Sequence, residues 1–188
     1  FPKESGNISM TYTPMVYTAR MVKEQHPGCK VVFVGPCAAK KLEAMQDDIR
    51  TDVDFVLTYE ELMGIFEAKD IDFSKLPDSP DLDEGTKAGR GFAVAGGVAA
   101  AVEALIRKEH PDFEMKTQRA DGLRECRKLL TLAKTGKLDG YLLEGMACPG
   151  GCVAGAGTVV SADTAAKKLA QHMAQASASD ADESRFRE

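Results

Sequence analysis

The chain lacks several features that would each have fixed its class. It has no apolar run of about 18 residues and no charged-then-apolar leader, so nothing in it reads as a membrane segment. It has no basic excess: the formal net charge is −5 and the acids are spread out, which argues against a nucleic-acid footprint or a membrane-binding surface. It has no internal repeat and no paired C-x₂-C motifs. Its five cysteines are an odd number without a disulfide-scaffold spacing, and they fit a reducing compartment such as the cytoplasm. It also lacks an initiator methionine: Phe1-Pro2-Lys3-Glu4 does not look like a natural beginning, and a piece of a longer protein is expected. At 188 residues it can still bury a core of its own, as one domain or as one lobe of a larger one.

What is present alternates between strand and helix patterns. Thr13-Pro14 opens a helix, with Thr13 as N-cap, that stops at Pro27-Gly28. Val31 to Val34 reads as a strand buried on both faces, followed by a helical pattern from Ala38 to Met45. Val53 to Leu57 is a second strand, and Thr58 with Glu61 forms a capping box for the next helix. Residues 70–90 form a polar excursion with a minor helical turn near Phe73 to Leu76. Gly96-Gly97 starts an Ala-rich helix, Phe113 to Thr117 alternates like a more exposed strand, and Asp121 is expected to cap the helix carrying Leu123, Cys126 and Leu130. Tyr141 to Leu143 is a short buried strand, and Thr158 to Val160 a short extended piece. A last helix runs from Ala162 to about Ala176, and the polar tail 177–188 is expected to fray. The pattern predicts an α/β fold with a mostly parallel sheet flanked by helices, its domain spanning residues 1–176.

Two loops carry the chemistry. In Glu144-Gly145-Met146-Ala147-Cys148-Pro149-Gly150-Gly151-Cys152, a strand feeds a turn in which two thiols flank a proline and two glycines. Such a turn can lay backbone N–H groups against a bulky anion while thiolates bind it, as a sulfide-rich cluster requires. The plainer reading is a Gly-rich turn with two buried cysteines. The other loop, Gly35-Pro36-Cys37-Ala38-Ala39-Lys40-Lys41, also follows a strand and opens a helix, where N–H groups favour an anion. Here Cys37 reads as a thiolate ligand and Lys40 as a donor to a bound anion, against a plain helix start with two solvated lysines. Cys29 lies about 20 Å from Cys37 at the other end of the strand, and Cys126 sits on an apolar stripe. A four-iron cluster normally takes four protein ligands. Cys37, Cys148 and Cys152 supply three, and the fourth is expected outside this chain.

Val34 to Ala44 and Glu144 to Cys152 resemble the second and third active-site motifs of the [FeFe]-hydrogenase large subunit, and Phe92 to Val98 resembles a stretch between them. Order, spacing and length fit to about Thr158, so the chain is similar to the C-terminal part of that family's catalytic domain. The resemblance implies that Cys37 and Cys148 ligate the [4Fe-4S] cubane of the H-cluster. By the same resemblance Cys152 bridges the cubane to a two-iron subsite carrying carbon monoxide, cyanide and an azadithiolate. It implies that Lys40 hydrogen-bonds a cyanide, that Pro36 and Ala38 line its pocket, that Met146 and Phe92 pack on the subsite, and that Ser9 lies on a proton path. The implied activity is reversible reduction of protons to dihydrogen. The implied partners are ferredoxin or a similar carrier, the missing N-terminal part of the same chain and the maturation proteins, with no nucleic acid or membrane. The isolated chain is expected to be inactive, with the H-cluster absent or incomplete.

Two departures stand out. Gly35 occupies a position where methionine is common in the family, and Gly155-Ala156-Gly157-Thr158 replaces a usual Gly-Gly-Gly-Gln. Both resemble less-studied and sensory branches. A second resemblance is to the nuclear prelamin-A recognition factor-like group, which serves cytosolic iron–sulfur assembly without a two-iron subsite. Thiols that merely take up zinc are the third reading.

Overall fold

The structure is a computed structural model that describes residues 1–77, 85–184 and 186. The chain divides into two compact units. One holds Phe1–Leu76 with Gly155–Val159, the other Pro77–Ala154 with Val160–Glu188. Each contains a two-stranded parallel sheet flanked by helices, which is the α/β architecture expected from the sequence. Part of the polar excursion, residues 78–84, lies outside the described residues.

In the first unit, helix α1 (Pro14–Gln25) starts on Thr13 with proline in its first turn, where a missing N–H costs nothing. The Thr13 hydroxyl does not cap α1. It donates to Glu43 Oε1 at 2.5 Å. Met15, Val16 and Ala19 form the buried face of α1 and join Ile49 and Val53 in a core flanked by Phe33 and Val56. Strand β1 (Val32–Gly35) pairs with β2 (Phe55–Thr58) in parallel, with Val32 opposite Phe55 and Gly35 opposite Thr58. β1 is covered on one face only. Phe33 and Gly35 turn inward, whereas Val32 and Val34 are 46% and 37% exposed, because strand side chains alternate and the core lies on one side. Helix α2 is only Ala39–Glu43, shorter than the helical pattern suggested, so its dipole is small.

The capping box forms as expected at helix α3 (Tyr59–Ala68): Glu61 N–H donates to the Thr58 hydroxyl, and the Thr58 N–H donates to Glu61. Lys41 is not a solvated lysine. Its ammonium lies 2.8 Å from Glu61 Oε2 and 3.1 Å from the Val56 carbonyl, joining α2 to β2 and the cap. That ammonium, with the Thr58 N–H, holds the Glu61 carboxyl below its ordinary range.

Asp54 performs a similar service at the start of the β1–β2 ladder. It accepts from Lys23, Lys30 and the Val31 N–H, and these contacts hold its carboxyl well below the usual range. A carboxyl depressed on folding stabilises the fold above its unfolded pKa of about 4, and that contribution fades as pH falls further. The melting temperature is therefore expected to drop on acidification from about pH 5 towards pH 3, and Asp54→Asn to flatten that slope. Melting curves at stepped pH check this; equal slopes in both proteins would remove Asp54 as the cause.

In the second unit, helices α4 (Lys87–Arg90) and α5 (Gly97–Glu109) precede strand β3 (Lys116–Asp121), helix α6 (Leu123–Ala133), strand β4 (Tyr141–Met146) and helix α7 (Ala162–Ala174). β3 and β4 are parallel, with Lys116 opposite Tyr141 and Asp121 opposite Met146. The strand expected over Phe113 to Thr117 lies further along: the ladder begins at Lys116 and runs to Asp121. Asp121 does not cap α6. It ends β3, and Gly122, at a φ of 84° that disfavours side chains, occupies the N-cap position. Thr158 to Val160 forms no strand.

The tail is tied down rather than frayed through residue 183. The Lys87 and Ala88 N–H groups donate to Ala178 and Ser179 carbonyls at 2.8 and 3.0 Å, and Lys108 pairs with Asp182. Among the described residues, no helix is long and apolar enough to cross a membrane.

Candidate metal-binding site

In the first unit, β1 delivers Pro36 and the half-buried, free Cys37 to its carboxyl end. The returning segment Gly155–Val159 packs here. The Gly157 N–H donates to the Pro36 carbonyl at 2.9 Å, and the Gly157 carbonyl accepts from Glu60 N–H at 3.3 Å. A Cβ at Gly155 would strike the Pro36 carbonyl, and one at Gly157 would strike Thr58. Ala156, between them, is exposed. The altered ending therefore keeps glycine at both positions where the chain passes close to its neighbours; it differs at exposed Ala156 and at half-buried Thr158, whose hydroxyl donates to the Gly155 carbonyl at 3.0 Å.

Lys40 lies on the single short helix that follows Cys37. Its ammonium is 2.6 Å from Glu43 Oε2, and both side chains are only about one-fifth exposed, at 19% and 20%. Glu43 is held in turn by Thr13. An ammonium has three donors, so the Glu43 contact leaves capacity for a further acceptor. Ala38 is exposed. Ser9 is also exposed, and its hydroxyl donates to Thr11 at 3.1 Å. At Gly35, an added Cβ would lie 2.7 Å from the Phe33 ring, so Phe33 takes the space a longer side chain there would need.

The second unit carries Phe92, Met146, Cys148 and Cys152, all half-buried, with neither thiol in a disulfide. β4 ends at Met146, and the Gly151 N–H closes the turn on the Cys148 carbonyl at 3.0 Å. Gly150 and Gly151 adopt φ of 88° and 98°. The Ala95 N–H donates to the Gly150 carbonyl at 3.1 Å, which lays the turn along residues 93–95, next to Phe92. Three residues that the sequence does not assign to the site support this turn. Asp121 accepts the Gly150 N–H. The buried Glu144 accepts the Gly96 and Ala99 N–H groups at 2.5 and 2.7 Å, capping α5 from a neighbouring strand. Arg119 donates to the Ala95 carbonyl at 3.1 Å. A charged residue closing the apolar run Tyr141-Leu142-Leu143-Glu144 is the one sequence signal for any of them.

The remaining cysteines take no part in either turn. The Cys126 thiol lies 3.5 and 3.4 Å from the Ala120 and Met146 carbonyls, a structural position beside the strand ends. Cys29 precedes β1, at the end opposite Cys37, with its N–H bonded to the His26 carbonyl. The three thiols that the sequence assigns to metal binding thus fall as Cys37 in one unit and Cys148 with Cys152 in the other. Half-buried thiols outside disulfides suit soft-ligand centres, iron–sulfur above all.

The chain spans between about a quarter and two-fifths of the length of the curated relatives it matches. It is 30% identical over 177 residues to the periplasmic [Fe] hydrogenase large subunit of Nitratidesulfovibrio vulgaris, covering 77% of this chain and 42% of that one. It is 27% identical over 180 residues to cytosolic iron-sulfur assembly component 3 of Pongo abelii, covering 76% and 38%. Its fold matches a variant of the [FeFe]-hydrogenase HydA1 from Chlamydomonas reinhardtii with a TM-score of 0.62 at 22% identity, over 100% of this chain and 64% of that chain. The model of the family described as "Iron only hydrogenase large subunit, C-terminal domain" matches residues 1–156. By that match, which takes in both cysteine turns, the chain belongs to the family formed by the C-terminal domains of iron-only hydrogenase large subunits.

Proposed function

We propose that this chain is the H-cluster-bearing part of an [FeFe]-hydrogenase, and that the whole protein reduces protons to dihydrogen reversibly. The observation that carries the reading is Lys40. A lysine one turn beyond a free thiol is withdrawn from solvent and steered by Glu43 and Thr13, with donor capacity left over. A compact ammonium so held suits one strong bond to a small terminal anion such as cyanide. In this reading Cys37, Cys148 and Cys152 would be the thiolates that hold the H-cluster. Pro36 and Ala38 line the cyanide pocket, Phe92 and Met146 exclude water from the subsite, and Ser9 passes protons. When bound, the H-cluster supplies electron storage and an open metal site. The protein's own residues orient it, neutralise its anionic ligands and keep it dry. A ferredoxin-type carrier, the maturation proteins and the rest of the polypeptide are the partners. Five cysteines with no disulfide among them favour a cytoplasmic location, although the similar Nitratidesulfovibrio protein is periplasmic.

The second reading is an iron–sulfur assembly or hydrogen-sensing protein. Gly35 under the Phe33 ring favours it, since the side chain common there in hydrogenases would need Phe33 to move. The likeness to assembly component 3 points the same way.

Infrared spectra of the full-length, matured protein separate an H-cluster protein, whether it turns over hydrogen or senses it, from an assembly protein. Carbon monoxide and cyanide bands are expected, with Lys40→Ala weakening or shifting the cyanide bands while the cubane signal remains. Lys41→Ala, which disturbs the α3 cap instead, is expected to leave those bands in place. A cubane signal without either set of bands in the unaltered protein would transfer the assignment to the assembly reading.

A further inference from the structure

We propose that Asp121 is a positioning residue for the Cys148–Cys152 turn, fixing it in its ligating shape before any cluster arrives. This rests on the reading of the turn as a metal site. The sequence places an aspartate before a helix, where it would ordinarily serve as the cap, yet Gly122 takes that place and the Asp121 carboxylate reaches across to the Gly150 N–H. The backbone of Gly150 is gripped on both sides by other segments. Asp121, from β3, holds its N–H, and the Ala95 N–H holds its carbonyl.

The neighbouring contacts make that grip rigid. The Gly122 N–H donates to the Met146 carbonyl at 2.9 Å, which registers the end of β3 against the root of the turn. Pro149 packs over Gly122, its Cγ 3.6 Å from where a Cβ would sit. On the other side Glu144 anchors Gly96 and Ala99, so the segment that holds the Gly150 carbonyl is itself held. The turn therefore hangs between two carboxylates, one on each strand of the sheet. Glu144 acts at one remove, through residues 95–96, and Asp121 acts directly.

A glycine with φ near 90° does not stay there without partners, because the free residue samples both signs of φ equally. Removing the Asp121 acceptor releases the Gly150 peptide, and with it the spacing of Cys148 and Cys152. A preformed turn lowers the ordering cost of binding, so its loss reads out as weaker metal retention. Asparagine keeps an acceptor oxygen at the same reach, so Asp121→Asn should preserve what Asp121→Ala destroys.

The test uses the full-length protein with and without its metal. Hydrogen exchange over residues 146–152 of the metal-free protein is expected to be protected in the unaltered chain. Exchange there should be at least about tenfold faster in Asp121→Ala, and restored to within about threefold in Asp121→Asn, with the Leu129 region unchanged as the folding control. After reconstitution with iron and sulfide, iron per chain should fall by half or more in Asp121→Ala and recover in Asp121→Asn. Unchanged exchange in Asp121→Ala overturns the proposal, and so does an Asn variant as impaired as the Ala one. Failure of the unaltered protein to take up iron would instead overturn the metal reading, while the exchange comparison still decides the role of Asp121.

Discussion

Cys148→Ser in the full-length protein is expected to abolish the cubane, whereas Cys126→Ala is expected to leave it intact. The two thiols are both free, both half-buried and both near the end of β4, so bulk reactivity does not separate them. Geometry does. Cys148 sits in the glycine turn with Cys152, while the Cys126 thiol lies against the Ala120 and Met146 carbonyls. Serine is a poor replacement for a thiolate at a soft iron site, so nearly all cluster iron should be lost with little change in the apoprotein fold. Replacing Cys126 removes one sulfur from a partly buried spot, costing about 1 kcal/mol through packing. Iron analysis and the paramagnetic signal of the reduced cluster provide the comparison. Retention of full iron in Cys148→Ser would take that residue out of the ligand set, and loss of the signal in a folded Cys126→Ala protein would bring the other one in.

Gly151→Ala is expected to be the more damaging of two neighbouring glycine substitutions. Both Gly150 and Gly151 have positive φ, which costs an alanine about 1–2 kcal/mol of backbone strain. Only Gly151 is also crowded: its Cβ would fall 2.5 Å from the Ala95 nitrogen and 2.8 Å from the Ala93 carbonyl oxygen. Those are backbone atoms that cannot swing away, so relief requires a shift of the 93–95 segment, typically about 1–3 kcal/mol more. Around Gly150 nothing lies within 4 Å of an added Cβ. Thermal melts of both variants should show a drop for Gly151→Ala about twice that for Gly150→Ala. Equal drops would mean that the turn and the 93–95 segment adjust freely, and that strain alone sets the cost.

The parts of this protein that can be read from its sequence are those whose causes are local. The Thr58–Glu61 capping box lies within one turn of chain, and Thr13-Pro14 sets its own helix start. The cysteine turns are legible for the same reason: spacing and glycine content describe them. β3 lies beyond the expected stretch because Lys116-Thr117-Gln118-Arg119 offers no apolar alternation, and its partner β4 rather than its own pattern makes it a strand. Lys41 reads as a solvated charge in the sequence because its partners, Glu61 and the Val56 carbonyl, are 20 and 15 residues away. The supports of the candidate site share that property. Asp121 reaches Gly150 across 29 residues, and Glu144 reaches Gly96 across 48. A polar side chain signals that it needs a partner; only the fold says which.

The five-residue return of Gly155–Val159 into the first unit bears on how such a protein can be rearranged by gene fusion. A break at Leu76 looks like a natural seam, since most of the first unit lies before it. A piece ending there would nevertheless leave without the Gly157 groups that bond Pro36 and Glu60, and the piece left behind would carry a glycine strap with nothing to fasten to. Neither half is a transferable module. Shuffling, splitting or transplanting this polypeptide can succeed only where the first unit travels together with the strap encoded about eighty residues downstream.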